Sequence, residues 1–130
     1  YQWQEWDGTS WTNLVNTAYF SGVQEQTLRI AVPPTSWYGA RFRCLANGIP
    51  GNEFILKFSN TWTGAVNTDW FTTGNWSCGV VPDAYTDVVI PQDVTRFPSV
   101  QGTGTCRSLY MRAGSQLTVE AGYLLQITGQ

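Results

Sequence analysis

Alternating apolar and polar residues fill the first 58 positions of the chain. Leu28, Ile30 and Val32 follow a period of two, and so do Phe54, Leu56 and Phe58. A period of two is typical of a strand with one buried face, so we predict β-strands throughout this region. The strands predicted in this way cover residues 1–6, 11–15, 27–32, 40–46 and 53–58.

Dipeptides that favour turns separate the predicted strands. Asp7–Gly8, Asn47–Gly48 and Pro50–Gly51 each combine residues that tolerate the backbone angles of tight turns. Pro33–Pro34 ends the strand over 27–32, because proline has no N–H to donate to a neighbouring strand. The pattern changes near Ser59, so we expect a domain boundary there, with domains over 1–58 and 59–130.

A repeat of eight residues follows in the second part of the chain. Leu109, Leu117 and Leu125 are eight positions apart, and an apolar residue stands two positions after each of them. Ala113–Gly114 and Ala121–Gly122 close the first two units, and glycine suits a sharp corner because positive φ costs it little. A strand this short cannot bury its apolar face alone, so we expect stacked units that cover one another. Three units would make about one coil, which would leave Leu125 and Ile127 exposed unless a cap or further coils cover them.

The composition agrees with an all-β protein. Only 12% of the 130 residues are charged and 15% are aromatic, with seven tryptophans. The residues that favour helices are scarce, which points to strands and turns. The formal net charge is −2 and no basic block is present, so we do not expect nucleic acid as a partner. No apolar stretch is long enough to cross a membrane as a helix, so we do not expect membrane insertion.

The chemistry available to the chain is limited. The sequence has no histidine, which excludes Ser-His-Asp and Cys-His catalysis and every metal site that needs a histidine ligand. Its three cysteines, Cys44, Cys78 and Cys106, form no CxxC motif, so nothing supports a zinc site. We therefore predict no cofactor and no metal. An odd number of cysteines leaves at least one without a partner inside the chain.

The first part of the chain resembles immunoglobulin-like (Ig-like) repeats of large secreted surface proteins of Bacteroidetes. The resemblance rests on Tyr1–Gln4 (YQWQ), on the segment from Gly8 to Leu14 and on Tyr38–Cys44 (YGARFRC). It implies that Trp3 and Cys44 mark the core of a sandwich. Phe42 stands where such domains carry a tyrosine. The first two strands of the sandwich would precede Tyr1, so we expect a longer polypeptide or another chain to supply them.

The second part resembles the N-terminal beginning of parallel β-solenoids in exported proteins of Bacteroidetes, which the type IX secretion system typically carries. The resemblance rests on residues 62–64 (WTG), 69–70 (DW), 74–76 (GNW), 87–91 (DVVIP) and 116–122 (QLTVEAG). It implies a disulfide between Cys78 and Cys106, which would leave Cys44 as the odd cysteine. The fold expected for the whole chain is all-β, a partial Ig-like sandwich followed by the capped start of a parallel β-helix or solenoid.

The tryptophans and acidic residues each allow two interpretations. Trp62, Trp70 and Trp76 fit a cap that covers the end of a solenoid, whereas Trp6 and Trp11 flank a turn and are the better candidates for contact with a glycan.

The aspartates could bind calcium or act as a glycosidase pair, but turn capping is the simpler interpretation. These aspartates are Asp69, Asp83, Asp87 and Asp93. Asn75 begins a glycosylation sequon (NWS), yet local turn bonds explain it as well.

These observations predict a protein that is not an enzyme. We expect a structural and adhesive segment of a large secreted or surface-anchored bacterial protein, in which coils provide length and the Ig-like module provides binding loops. The expected partners are other segments of the same protein or neighbouring subunits, and surface glycans. The alternatives are a glycan-binding module, a non-catalytic part of a polysaccharide-degrading enzyme, or a substrate held in a secretion or gliding-motility complex.

Overall fold

The protein is all-β in the computed structural model, which describes residues 1–129. Within these residues the chain forms thirteen short strands and two single-turn 3-10 helices, Thr35–Trp37 and Thr73–Asn75. The backbone divides into two compact units, one covering Tyr1–Lys57 and one beginning at Phe58. No helix in the described part of the chain is long and apolar enough to cross a membrane.

The first unit is built on a four-stranded antiparallel sheet with the order β2-β1-β5-β6. Its strands are β1 (Gln2–Trp6), β2 (Trp11–Asn13), β5 (Arg41–Ala46) and β6 (Ile49–Ile55). A small antiparallel pair, β3 (Phe20–Ser21) and β4 (Arg29–Ile30), accompanies the sheet. One sheet face packs on a core of four buried residues, Leu14, Phe20, Val23 and Phe42.

The turns of this sheet follow from local chemistry. The Asp7 carboxylate accepts hydrogen bonds from the backbone N–H groups of Thr9 and Ser10, each at 2.8 Å, and closes the turn between β1 and β2. Asn47 and Gly48 both have positive φ, 51° and 78°, which suits a tight turn between antiparallel strands. The turn expected at Pro50–Gly51 is wrong, because both residues lie inside β6. Proline is tolerated there since β6 is an edge strand.

The second unit consists mainly of parallel strands that lie against one another in succession. Its strands are β7 (Ser59–Thr61), β8 (Asp87–Ile90), β9 (Ser99–Val100), β10 (Thr103–Cys106), β11 (Ser108–Met111), β12 (Thr118–Val119) and β13 (Leu124–Ile127). β7 pairs with β8, β8 with β11, β9 with β12 and β10 with β13, all in parallel. Paired residues of β7 and β8 are 28 positions apart, as in Ser59 with Asp87. In the other three pairs the offsets are 21, 19 and 21, as in Asp87 with Ser108, Ser99 with Thr118 and Thr103 with Leu124.

The repeat of eight residues has a direct counterpart in this unit. The three leucines of the repeat lie on successive sides of one turn of the chain. Each of them packs against the core of the unit, and they are Leu109, Leu117 and Leu125. Leu125 is half-buried, because it packs against the core of the unit. Ile127 is exposed as expected, with 55% of its surface accessible. The difference arises because Leu125 lies over Gly104, whose missing side chain leaves room for it.

Three tryptophans fill the core of the second unit. Trp62 and Trp70 have no accessible surface, and Trp76 is 3% exposed. The Trp76 ring meets the Trp62 and Trp70 rings edge to face, with centroids 5.1 and 4.7 Å apart. The indole N–H of Trp62 donates to the carbonyl of Arg96 at 2.7 Å, and that of Trp76 donates to the carbonyl of Trp70 at 2.8 Å. Their expected role as buried residues is therefore confirmed.

Candidate functional site

Trp6 and Trp11 lie side by side on the sheet face that points away from the core of the first unit. They are directly opposite each other across β1 and β2. Their ring centroids are 5.4 Å apart and the rings are tilted by 57°. Both side chains are half-buried, so part of each indole reaches solvent. The turn closed by Asp7 fixes this pairing, because it sets the register of the two strands.

Two arginines from β5 join the tryptophans on the same face. The Arg41 guanidinium lies 5.3 Å from the Trp6 ring centroid and 5.7 Å from that of Trp11. The Arg43 guanidinium lies 4.4 Å from the Trp11 ring centroid. Each contact is a cation–π interaction, worth about 0.5–1 kcal/mol at an exposed position. We call the surface formed by Trp6, Trp11, Arg41 and Arg43 the ladder face.

The two arginines differ in how their charges are balanced. Arg41 forms an ion pair with Glu53 on the neighbouring strand. Arg43 instead donates from Nε to the Oε1 atom of Gln4 at 2.8 Å, and Gln4 donates in turn to the Oδ1 atom of Asn13 at 2.8 Å. No carboxylate of residues 1–129 lies within ion-pair distance of Arg43. Glu53 is the direct neighbour of Arg43 across β5 and β6, but its carboxylate pairs with Arg41, so Arg43 has no ion pair of its own.

The sequence analysis singled out Trp6 and Trp11 but missed Arg41 and Arg43. The signal was present in the alternation along β5, where Phe42 points to the core and its two neighbours must point the other way. The missing information was the order of the strands. Only the pairing of β1 with both β2 and β5 brings the arginines beside the tryptophans.

Two carboxyl groups near the ladder face have shifted pKa values. Hydrogen bonds from the backbone N–H groups of Ser10 and Thr9, and from the hydroxyl groups of Thr9 and Ser10, lower the pKa of Asp7 well below its usual range. Burial raises the pKa of Glu5. Glu5 lies on the opposite face, across from Phe42, so it does not balance the charge of Arg43. The ladder face therefore combines flat aromatic surface with cationic donors.

Trp3 and Cys44 lie beside an open apolar cavity of the first unit. They are direct neighbours across β1 and β5. Both are half-buried, and they share a cavity of about 520 Å³ with Ile49 and Phe54, both of which are exposed. The Trp3 ring lies 5.9 Å from the Phe54 ring, and its N–H donates to the carbonyl of Glu25 at 3.0 Å. Trp3 therefore packs at the margin of the core.

Asn75 is a structural residue of the second unit. It has no accessible surface, and its Oδ1 accepts from the backbone N–H groups of Val66 and Asn67 at 2.9 and 3.1 Å. Its Nδ2 donates to the Oδ1 of Asn67 and the carbonyl of Asp69 at 2.7 and 2.9 Å. The interpretation of local turn bonds is confirmed, since the amide that would carry a glycan is buried and fully used.

Comparison with known families assigns the second unit. Residues 61–130 match the model of a family described as a domain of unknown function, DUF8693. The chain belongs to the DUF8693 family. The match includes the three buried tryptophans and Asn75, whereas the whole ladder face lies outside it. No curated protein and no solved structure matches the chain.

The cysteines of the DUF8693 region differ from the expectation of a disulfide. All three cysteines of the chain are free thiols in the described structure, namely Cys44 in the first unit and Cys78 and Cys106 in the second. Cys106 is fully buried in the core of the unit, whereas Cys78 is exposed and its thiol contacts the carbonyl of Ser59 at 3.4 Å. Burial, and then the charge of Asp87, raise the pKa of Cys106 to about 11, which keeps this thiol protonated at neutral pH.

Three of the four aspartates of the DUF8693 region have structural roles. Asp69 accepts from the backbone N–H of Phe71 at 3.0 Å, and Asp83 accepts from that of Tyr85 at 3.0 Å, so both cap turns as expected. Asp87 pairs with Arg107 at 2.8 Å. The fourth aspartate, Asp93, is exposed. Among residues 1–129 no group of three or more histidine, cysteine, aspartate or glutamate side chains is arranged to hold a metal.

Proposed function

We propose that this chain is a non-catalytic structural and adhesive segment of a large secreted or surface-anchored bacterial protein. In this proposal the first unit is an Ig-like module and the DUF8693 region is the capped beginning of a parallel β-solenoid. The coils act as a stiff spacer, and the module before them provides a binding surface. The parent protein belongs, by the sequence resemblance, to the exported proteins of Bacteroidetes that use type IX secretion.

The observation that carries this proposal is the stacking of parallel strands in the second unit. The last three strand pairs have offsets of 21, 19 and 21 residues, so one turn of chain lies on the next along three sides, and the first pair, β7 with β8, has a longer offset of 28 residues. Repeated turns of this kind form quasi-one-dimensional solenoids, in which each turn contacts only its neighbours. Such a structure supports length and stiffness without needing a catalytic centre.

The strand order of the first unit supports the Ig-like part of the proposal. In variable-type Ig domains strand C lies between strands C′ and F, and strand G follows F. The observed order β2-β1-β5-β6 fits that arrangement, with Trp3 on the strand in position C and Cys44 on the strand in position F. A neighbouring segment or subunit that covers the apolar cavity beside Trp3 would complete the core.

Labelling of intact cells tests the proposed location. Antibodies against the purified chain are applied to cells that produce the parent protein, before and after permeabilisation, with a cytosolic protein as the control. We expect equal labelling in both states for this chain and labelling of the control only after permeabilisation. Labelling of both proteins only after permeabilisation would contradict the proposal.

A second candidate function is glycan binding by the first unit. The observation that favours it is the ladder face, where two half-exposed tryptophans lie beside an arginine that forms no ion pair. Exposed aromatic surface with adjacent polar donors is the usual make-up of a ligand surface. Titration of the chain with polysaccharides, followed by tryptophan fluorescence, tests this candidate.

A further inference from the structure

A concavity with a mixed polar and apolar lining shares Asn13 with the side of the sheet that carries the ladder face. Its volume is about 380 Å³. Four residues with amide side chains line it together with two large side chains that are mainly apolar, Tyr1 and Leu45; the amide residues are Gln2, Asn13, Gln24 and Asn47. Asn13 also belongs to the hydrogen-bond network of Arg43, so the concavity and the ladder face form one continuous surface across β2, β1 and β5.

Arg43 is linked to the concavity through Gln4, which bonds both to Arg43 and to the lining residue Asn13. Its Nε donates to Gln4, which leaves the two terminal nitrogens without a hydrogen bond to residues 1–129. The Trp11 ring on one side and Gln4 on the other hold the guanidinium in place. A guanidinium held in this way binds a carboxylate or sulfate through paired hydrogen bonds, and little side-chain freedom is lost on binding.

The groups around Arg43 complement a sugar. The Oδ1 of Asn13 accepts from Gln4 and the residue is exposed, so its Nδ2 remains available to donate to a hydroxyl group. The half-exposed indole of Trp11 offers apolar surface for a pyranose ring. An amide side chain both donates and accepts hydrogen bonds, and so does a sugar hydroxyl group, so the two can pair in either direction.

We propose that this combined surface binds an acidic polysaccharide. The sugar carboxylate or sulfate pairs with Arg43, sugar hydroxyl groups bond to the exposed amides of Asn13 and Asn47, and a ring rests against Trp11. The proposal rests on the glycan-binding function proposed above and names its substrate class. The open surface suits a polymer chain that runs across the strands, whereas an acidic peptide would use the arginine but leave the amide-lined concavity unfilled.

Titration of the whole chain with three polymers tests the proposal. The probes are polygalacturonate, which carries a carboxylate on each sugar, dextran, which is neutral, and poly-L-glutamate, which is an acidic peptide. We expect the chain to bind polygalacturonate at least tenfold more tightly than either of the others. Added salt is expected to weaken the binding, because the contact with Arg43 is ionic.

Substitutions at Arg43 identify the residue that recognises the acid. Arg43→Gln is expected to weaken polygalacturonate binding at least tenfold, and Arg43→Lys is expected to weaken it less, because the charge remains but the paired donors are lost. Asn13→Ala is expected to weaken it several-fold. Arg29→Gln is the matched control, since Arg29 is an exposed arginine on β4, outside the surface. Circular dichroism confirms that each variant is folded, and Arg43→Lys decides the outcome if Arg43→Gln does not fold.

Each contrary outcome has its own meaning. Equal binding of dextran that Arg43→Gln leaves unchanged would overturn the acidic class but leave glycan binding intact. Binding of poly-L-glutamate as tight as that of polygalacturonate would assign the surface to acidic peptides and overturn the proposal. Failure of the folded chain to bind either polysaccharide would overturn both this inference and the glycan-binding candidate, while cell labelling decides the surface location separately.

Discussion

The two units of the protein use tryptophan in opposite ways. In the DUF8693 region Trp62, Trp70 and Trp76 are buried and pack on one another. In the first unit Trp6 and Trp11 are half-exposed and lie beside arginines. The residue type is the same, but the architecture around it differs. Successive parallel turns enclose an interior that large rings can fill, whereas a single antiparallel sheet leaves alternate residues on an outer face.

This difference separates core tryptophans from surface tryptophans. Buried indoles contribute apolar contact area to the core. The indole N–H groups of Trp62 and Trp76 also donate hydrogen bonds to backbone carbonyls inside the unit. Half-exposed indoles contribute little to a core but keep surface available to a ligand. A high tryptophan content therefore says nothing about binding until the strand pairing is known.

The largest effect is expected from Trp76→Ala. The substitution removes a ring that touches both other core tryptophans, so we expect a loss of roughly 3–5 kcal/mol in the free energy of unfolding. Denaturant titration measures the loss, with Trp11→Ala as the matched control on the ladder face. We expect the control to lose about 1 kcal/mol or less. Equal losses for the two variants would remove the distinction between core and surface tryptophans.

Asn75→Ala is expected to have the next largest effect. The substitution leaves the backbone N–H groups of Val66 and Asn67 without their acceptor inside the unit. We expect a loss of about 2–4 kcal/mol in the free energy of unfolding, because unsatisfied buried polar groups are costly. The control is Asn52→Ala on the exposed strand β6, with an expected loss of about 0.5 kcal/mol or less. A loss at Asn75 as small as that of the control would show that this network does not hold the loop.

Alkaline pH is expected to weaken the DUF8693 region through Cys106. The folded pKa is raised to about 11, whereas an unfolded thiol titrates near ~8.5. Stability from the protonated thiol is therefore complete below pH ~8.5 and falls as the pH approaches 11, by on the order of 2 kcal/mol. Unfolding measured from pH 8 to 11 should show a smaller decline for Cys106→Val than for Cys78→Ser or the unchanged chain. An identical decline in all three would exclude Cys106 as the cause.

The smallest effect is expected at the turn beside the ladder face. The folded pKa of Asp7 is lowered, so its contribution to stability is present above the unfolded pKa of ~3.9 and is lost as the pH falls below it. The melting temperature of Asp7→Asn should lie below that of the unchanged chain at pH 6, and the gap should close toward pH 2. A gap that stays constant over this range would mean that the carboxylate charge does not stabilise the turn.

Part of this structure was predictable from the sequence. The period of two in the first unit predicted strands there, and the repeat of eight residues predicted stacked short strands, because both patterns depend on local alternation. The contacts between Arg43 and Trp11 were not predictable, since they depend on which strands are neighbours. The Cys78–Cys106 disulfide was expected from resemblance alone, and the structure has one of these thiols in the core and the other in solvent.

Oxidative footprinting of all seven tryptophans in one sample tests the central claim most directly. The native chain is exposed to hydroxyl radicals with and without polygalacturonate, and each tryptophan is read out by peptide mass spectrometry. We predict rapid oxidation of Trp6 and Trp11, protection of both by the polymer, and slow oxidation of Trp62, Trp70 and Trp76 in both samples. Equal oxidation of the two groups, or no protection of Trp11 by the polymer, would contradict the account.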